Sequence, residues 1–212
     1  LDLVDRLRGF RLLPLVQIAD ARDAIPLAEA LAAGGLPCVE VAFRTPAAAD
    51  ALARIRHALP NLLLGAGTVL TPAAVDVAAA AGADFVVSPG CAPAVIDRAL
   101  DCGLGVIPGV ATASEVQSAF GRGLRLVKFF PAESIGGTGL LRALTAPFPM
   151  MSFVPTGGID ESNLDAYLDL EAVAAVGGSW MAPRARIETR DFDAITELVA
   201  KAVARVREHR QA

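Results

Sequence analysis

The sequence predicts an α/β fold, a (β/α)8 TIM barrel with a short N-terminal helix, and three observations carry that expectation. Short apolar runs recur from end to end at a spacing of about 20 to 27 residues, close to one βα unit. The runs are continuous rather than alternating, as strands covered on both faces are. Helix-start signals fill the segments between them, and no composition shift or linker divides the chain, so residues 1–212 are expected to form one domain. A doubly wound open sheet shares the βαβ pattern, but no strand here leads into a GxGxxG turn. GAGTVL at 65–70 lacks the third glycine and runs into Thr71-Pro72.

The elements follow in order. Leu3, Val4 and Leu7 mark the short first helix. The apolar runs are RLLPLVQI, PCVEVAF, NLLLGAGTV, DFVVSPG, LGVIPGV, LRLVKFF, MSFVPTGG and AVAAVGGSW, starting near residues 11, 37, 61, 84, 104, 124, 151 and 172. Thr45-Pro46 and Thr71-Pro72 each place a capping hydroxyl before a proline suited to the first helical position. Thr112 and Glu115 have capping-box spacing, and Asp160 is expected to open a further helix. Phe192, Ile195, Leu198, Val199, Ala202, Val203 and Val206 recur at three and four and mark the last helix.

Composition narrows the function. With 54% hydrophobic and 20% charged residues the chain can bury a large core, which excludes disorder. The net charge of −4, without a run of like charge, argues against a nucleic-acid groove or a polybasic membrane patch. No apolar stretch reaches the roughly 18 residues of a membrane span. The opening LDLVDRLRGF does not look like a signal peptide, and Cys38, Cys91 and Cys102 lack C-x-x-C spacing, so reduced thiols and a cytoplasmic location are expected. Only two histidines are present, His57 and His209, which excludes a His-rich zinc site and disfavours a Ser-His-Asp triad. No metal and no cofactor are expected, and the chemistry falls to carboxylates, lysine, arginine and backbone amides.

Barrel chemistry collects at the C-terminal ends of the strands. Strand two carries Glu40, with Arg44 just beyond; strand three ends in Gly67-Thr68, strand four in Ser88-Pro89, strand five in Pro108-Gly109. Lys128 interrupts the core run LRLVKFF in a chain whose one other lysine is Lys201 and whose remaining basic residues are all arginine. A lysine at a strand end often snorkels to solvent or pairs with a carboxylate. Arginine serves a structural ion pair at least as well, however, whereas a lysine nitrogen can lose its proton and attack a carbonyl. Desolvation and a neighbouring cation both favour the neutral amine of a lysine, and Arg44 is the candidate cation. Glu40 lies inside VEVAF, either as the partner of a buried arginine or facing the same cavity as Lys128, where it suits proton transfer. Gly157-Gly158 and Gly177-Gly178-Ser179 follow strands seven and eight, the two loops whose backbone amides typically bind phosphate in a barrel.

EVAFRT at 40–45, GAGTVL at 65–70, SPG at 88–90, IPGVAT at 107–112, KFFPAE at 128–133, PTGGI at 155–159 and GGSW at 177–180 stand in order. Together they resemble the 2-keto-3-deoxy-6-phosphogluconate (KDPG) aldolases, a family that includes enzymes acting on 4-hydroxy-2-oxoglutarate, and the resemblance covers nearly the whole chain. It implies a metal-independent class I aldolase, usually a homotrimer, producing pyruvate and glyceraldehyde 3-phosphate in Entner-Doudoroff type sugar-acid catabolism. By the same resemblance Lys128 is the Schiff-base lysine and Glu40 the general acid/base. Arg44 and Thr68 bind the carboxylate and keto end, Pro89, Phe130 and Thr156 line the pocket, and Gly157, Gly158, Gly178 and Ser179 hold the phosphate. The chain departs from the family at Ala42, where members often carry a hydroxylated residue, and after LPLV, departures that bear on substrate choice. Arg44 sets it apart from the phosphogalactonate aldolases, whose corresponding stretch generally lacks that arginine. The alternatives are a preference for 4-hydroxy-2-oxoglutarate or the galactonate epimer, a non-catalytic barrel kept for assembly, and a barrel isomerase or synthase with the same phosphate loops.

Overall fold

A computed structural model describes residues 2–210; Leu1, Gln211 and Ala212, the ends of the expected 1–212 unit, lie outside the described residues. Helix α1 (Leu3–Phe10) forms as expected. The Asp2 carboxylate accepts from the Asp5 N–H at its start, and Arg11 turns left-handed (φ 64°) at its end. The strands follow where the apolar runs place them: β1 (Leu12–Val16), β2 (Cys38–Ala42), β3 (Leu63–Gly67), β4 (Phe85–Val87), β5 (Gly105–Ile107), β6 (Gly109–Val110), β7 (Leu126–Phe129), β8 (Ser152–Pro155) and β9 (Val176–Gly178). Every residue of β2, β3, β7 and β8 is buried, as unalternating apolar runs require.

These strands do not close into the single eight-stranded TIM barrel that the sequence predicts. All of the pairings are parallel, but they make one six-stranded sheet, β5-β4-β3-β2-β1-β9, and one three-stranded sheet, β6-β7-β8. The physical reason lies at two seams. Pro108 has no N–H to donate and splits the fifth run, so that β5 pairs with β4 while β6 pairs with β7. Between β8 and the region of β9 only two isolated bridges form, Phe153 with Val173 and Thr156 with Gly177. The α/β class stands. The order is not doubly wound either, because β1 to β5 lie side by side in chain order.

The helices are α2 (Ala24–Ala33), α3 (Ala48–Ala58), α4 (Pro72–Ala80), α5 (Pro93–Asp101), α6 (Ala113–Gly121), α7 (Gly137–Thr145), α8 (Leu164–Leu168), α9 (Arg184–Glu188) and α10 (Phe192–His209). Thr71 caps α4 through the Ala74 N–H with Pro72 in the first turn, and Thr112 with Glu115 forms a reciprocal capping box on α6. Two expected caps fall elsewhere. Thr45 donates to the Ile18 carbonyl at 2.5 Å, and α3 starts at Ala48 without a side-chain cap. Asp160 holds a turn through Ser162, four residues ahead of α8. Helix α10 buries Ile195, Val199, Ala202 and Val206, the seam read from the sequence. One buried apolar cluster runs from Leu7 to Val206 and leaves polar side chains in its interior at only a few places, among them Glu40, Lys128 and Thr156.

Candidate active site

Lys128 sits on β7, in register with Gly109 on β6 and Val154 on β8. Glu40 sits on β2, in register with Leu15 on β1 and Gly65 on β3. The two therefore belong to different sheets, yet their side chains meet. Lys128 Nζ donates to Glu40 Oε1 at 3.4 Å, and the side chains are only 6% and 2% exposed. The contact is longer than a usual charge-assisted hydrogen bond, and burial of both groups makes it a high-stakes one. The Phe130 ring lies 5.3 Å from Nζ, within cation–π range. Arg44, the candidate cation for this site, donates from its Nε to Thr68 Oγ1 at 2.9 Å, and the charged group that Lys128 touches is Glu40.

Thr68 has φ 57°, a left-handed conformation that is a genuine outlier for a β-branched residue. Such strain persists only where the surroundings impose it, and here it aims the Thr68 hydroxyl at Arg44. Arg44 and Ser179 share a pocket of about 160 Å³ with Val16, Gln17, Ala42 and Arg184. Thr156 is buried, its carbonyl accepting from the Ala132 N–H and its hydroxyl donating to the Val154 carbonyl. The next two residues, Gly157 (φ 105°) and Gly158 (φ 77°), use backbone conformations that other residues avoid. Their carbonyls accept from Glu133 N–H and Asn163 Nδ2, while their own N–H groups have no acceptor among the described residues. Glu133 is itself held by the Tyr167 hydroxyl, which donates to its Oε1. Burial first, then the Glu133 carboxylate, pushes the Tyr167 phenol upward, so it stays a donor.

Two glycines already named at strand ends shape this site in a way that the sequence reading missed. A Cβ on Gly67 would lie 2.3 Å from Glu40 Oε1, and one on Gly177 would lie 2.3 Å from Thr156 Oγ1. Both glycines vacate the space that a functional side chain fills; a glycine inside a strand is the signal that could have found them. The sequence reading also missed Gln17 and Arg184, whose place in the pocket no local pattern reveals. Gly178 packs under Trp180, where a Cβ would meet the indole at 1.8 Å. Pro89 is exposed and lines a depression with Leu70 and Cys91, and its carbonyl lies against Gly109, where a Cβ would meet it at 2.1 Å. Among the described residues no group of three or more His, Cys, Asp or Glu is placed to hold a metal ion, and no helix is long and apolar enough to cross a membrane.

Comparison with known proteins finds relatives over nearly the whole chain. The family described as KDPG and KHG aldolase matches residues 3–198. A 2-dehydro-3-deoxy-phosphogluconate aldolase of Treponema pallidum is 47% identical over 93% of this chain and 94% of its own. Among solved structures, the KDPG aldolase of Legionella pneumophila, with pyruvate captured as a covalent carbinolamine, superposes with a TM-score of 0.92 at 40% identity, covering 95% of this chain and 98% of its own. The 2-keto-3-deoxy-6-phosphogluconate aldolase of Zymomonas mobilis, holding 3-phosphoglycerate, gives 0.89 at 39% identity over 95% of each chain.

Proposed function

The chain belongs to the KDPG and KHG aldolase family, and from that premise we propose that it is a lyase cleaving 2-dehydro-3-deoxy-6-phosphogluconate to pyruvate and glyceraldehyde 3-phosphate. The observation that carries this reading is the buried contact between Lys128 and Glu40, the chemistry a Schiff-base aldolase needs at one point in space. Proton transfer from Nζ to Glu40 leaves a free amine and a carboxylic acid, which removes two charges from a dry site. The amine attacks C2 of the keto acid, and the Glu40 acid returns its proton to the departing C2 hydroxyl, so that water leaves, the iminium forms and Glu40 is a carboxylate again. A base, Glu40 directly or through water, takes the proton of the C4 hydroxyl, and the C3–C4 electrons flow into the iminium. The aldehyde leaves, the enamine regains a proton at C3, and hydrolysis frees pyruvate and the lysine.

Arg44, with Thr68 holding its guanidinium, is the partner for the substrate carboxylate. Phe130 and Thr156 form the walls beside the reacting carbons, and the free amides of Gly157 and Gly158, with Gly178 and Ser179, face the phosphate. Binding of these two remote anions positions the bond that breaks. Pro89 lines the neighbouring depression, with its carbonyl against Gly109, the register partner of Lys128. The continuous core from Leu7 to Val206 supports a single domain, and the family resemblance supports a cytoplasmic homotrimer.

Borohydride reduction in the presence of pyruvate tests the assignment. The expected result is a stable pyruvyl adduct on the peptide containing Lys128, read by mass spectrometry of the digested protein. An adduct on Lys201, or none, overturns it.

A further inference from the structure

We propose that Arg184 binds the phosphate end of the substrate and sets the preference for a phosphorylated keto acid over an unphosphorylated one; this rests on the aldolase reading above. The substrate is anionic at both ends, a carboxylate at C1 and a phosphate at C6. The pocket that holds Ser179 is lined by two guanidinium groups, Arg44 and Arg184. Arg44 is turned by Thr68 at the end of β3 and serves the carboxylate. Arg184 opens α9, five residues after Ser179, so the loop that presents the Ser179 hydroxyl also presents this cation. Its Nε donates to Glu188 Oε1 at 2.6 Å, and its two terminal nitrogens have no hydrogen-bond partner among the described residues.

The charge count favours this role. The amides of Gly157 and Gly158 offer dipoles to a phosphate but no net charge, and a doubly charged anion taken from water needs a compensating cation. A guanidinium meets phosphate oxygens through paired N–H groups, which an ammonium does not. The ion pair with Glu188 is exposed on both sides (64% and 48%) and holds the arginine only weakly, so Nε can keep Glu188 while the terminal nitrogens turn to the ligand. Gln17, which also lines the pocket, is neutral and carries no charge that would repel the anion.

The test measures kcat and KM for the wild-type protein, R184A and R184K on 2-dehydro-3-deoxy-6-phosphogluconate and on 4-hydroxy-2-oxoglutarate, which has no phosphate. Inhibition by inorganic phosphate is measured alongside. In R184A, KM for the phosphorylated substrate and the inhibition constant for phosphate should both rise about tenfold or more, with kcat changing far less. The ratio of kcat/KM between the two substrates should fall by a similar factor, and R184K should restore part of it. An unchanged KM for the phosphorylated substrate, or an equal loss on both substrates, overturns the assignment while leaving the aldolase reading intact. A wild-type protein that traps no pyruvate overturns both.

Discussion

Lys128 and Lys201, the two lysines of this chain, each face a glutamate, and the comparison separates distance from consequence. Lys201 on α10 meets Glu161 at 2.8 Å, with side chains 69% and 42% exposed; Lys128 meets Glu40 at 3.4 Å, with side chains 6% and 2% exposed. The shorter pair is the weaker one, because water and salt screen its charges and both side chains give up rotamer freedom to form it. The longer pair sits where an unpaired charge is costly, so a group that displaces either partner leaves the other uncompensated. Lys201 also belongs to a ladder in which Lys201, Arg205 and His209 on α10 meet Glu161, Asp165 and Asp169 in or beside α8 at a constant step of four residues. That ladder docks a helix. The buried pair lies inside the apolar core, and its proposed role is to exchange a proton with the substrate.

The largest expected effect breaks the comparison from the buried side. Lys128→Arg keeps the charge and removes the amine that can form a C=N bond, so aldol cleavage should fall by at least about a thousandfold with pyruvate trapping lost. A variant that keeps its rate would reduce Lys128 to the structural role of Lys201. A smaller effect sharpens it: in Gly67→Ala the new Cβ would stand 2.3 Å from Glu40 Oε1 and must displace the carboxylate. A shift of about 1 Å in a catalytic group should lower kcat by roughly tenfold to a hundredfold while Lys128 remains trappable. Steady-state rates and trapping on the same preparation check this, and loss of both together would point to unfolding.

The smallest effects belong to the exposed ladder. Lys201→Ala should change unfolding free energy by less than about 1 kcal/mol, seen by denaturant titration, and leave cleavage kinetics unaltered. Asp165 carries a pH signature. The hydrogen bond from Arg205 holds its carboxyl below the usual carboxylate value, against the opposing effect of burial. A carboxyl lowered by folding stabilises the native state above its unfolded value of about 3.9 and loses that contribution as pH falls through the folded value. Melting temperature followed from pH 5 downward should therefore decline less in Asp165→Asn than in the wild type. Identical slopes would show that the ladder does not contribute to acid stability.

Much of the site was legible in the sequence because its residues break a pattern. Lys128 and Glu40 interrupt apolar strands, and the paired glycines occupy loops where only their backbone freedom explains them. Thr68 and Arg44 stood at strand ends, the family resemblance supplied their expected roles, and Thr68, with a positive φ, accepts from Arg44. Arg184, by contrast, looks like any surface arginine at the start of a short helix, and Gly67 like any small strand residue; their importance depends on what stands opposite. Sequence gives strand ends, not the direction in which long side chains turn, so the contact of Arg44 with Thr68 is a tertiary finding.

The amino-acid order alone determined the alternation of strands and helices, the positions of the strands to within a few residues, the capping of α4 and α6, and the identity of the residues able to do chemistry. These follow from local propensity and from which side chains water rejects. Tertiary structure decided that Pro108 divides one apolar run between two sheets, so that six and three strands pair instead of eight closing into a barrel. It also decided that Lys128 meets Glu40 across those sheets, and that Arg184 joins Arg44 at one pocket. Pairing and facing are long-range properties: a strand carries its own apolar pattern, but its partners and the groups its side chains meet are fixed only when distant segments pack together.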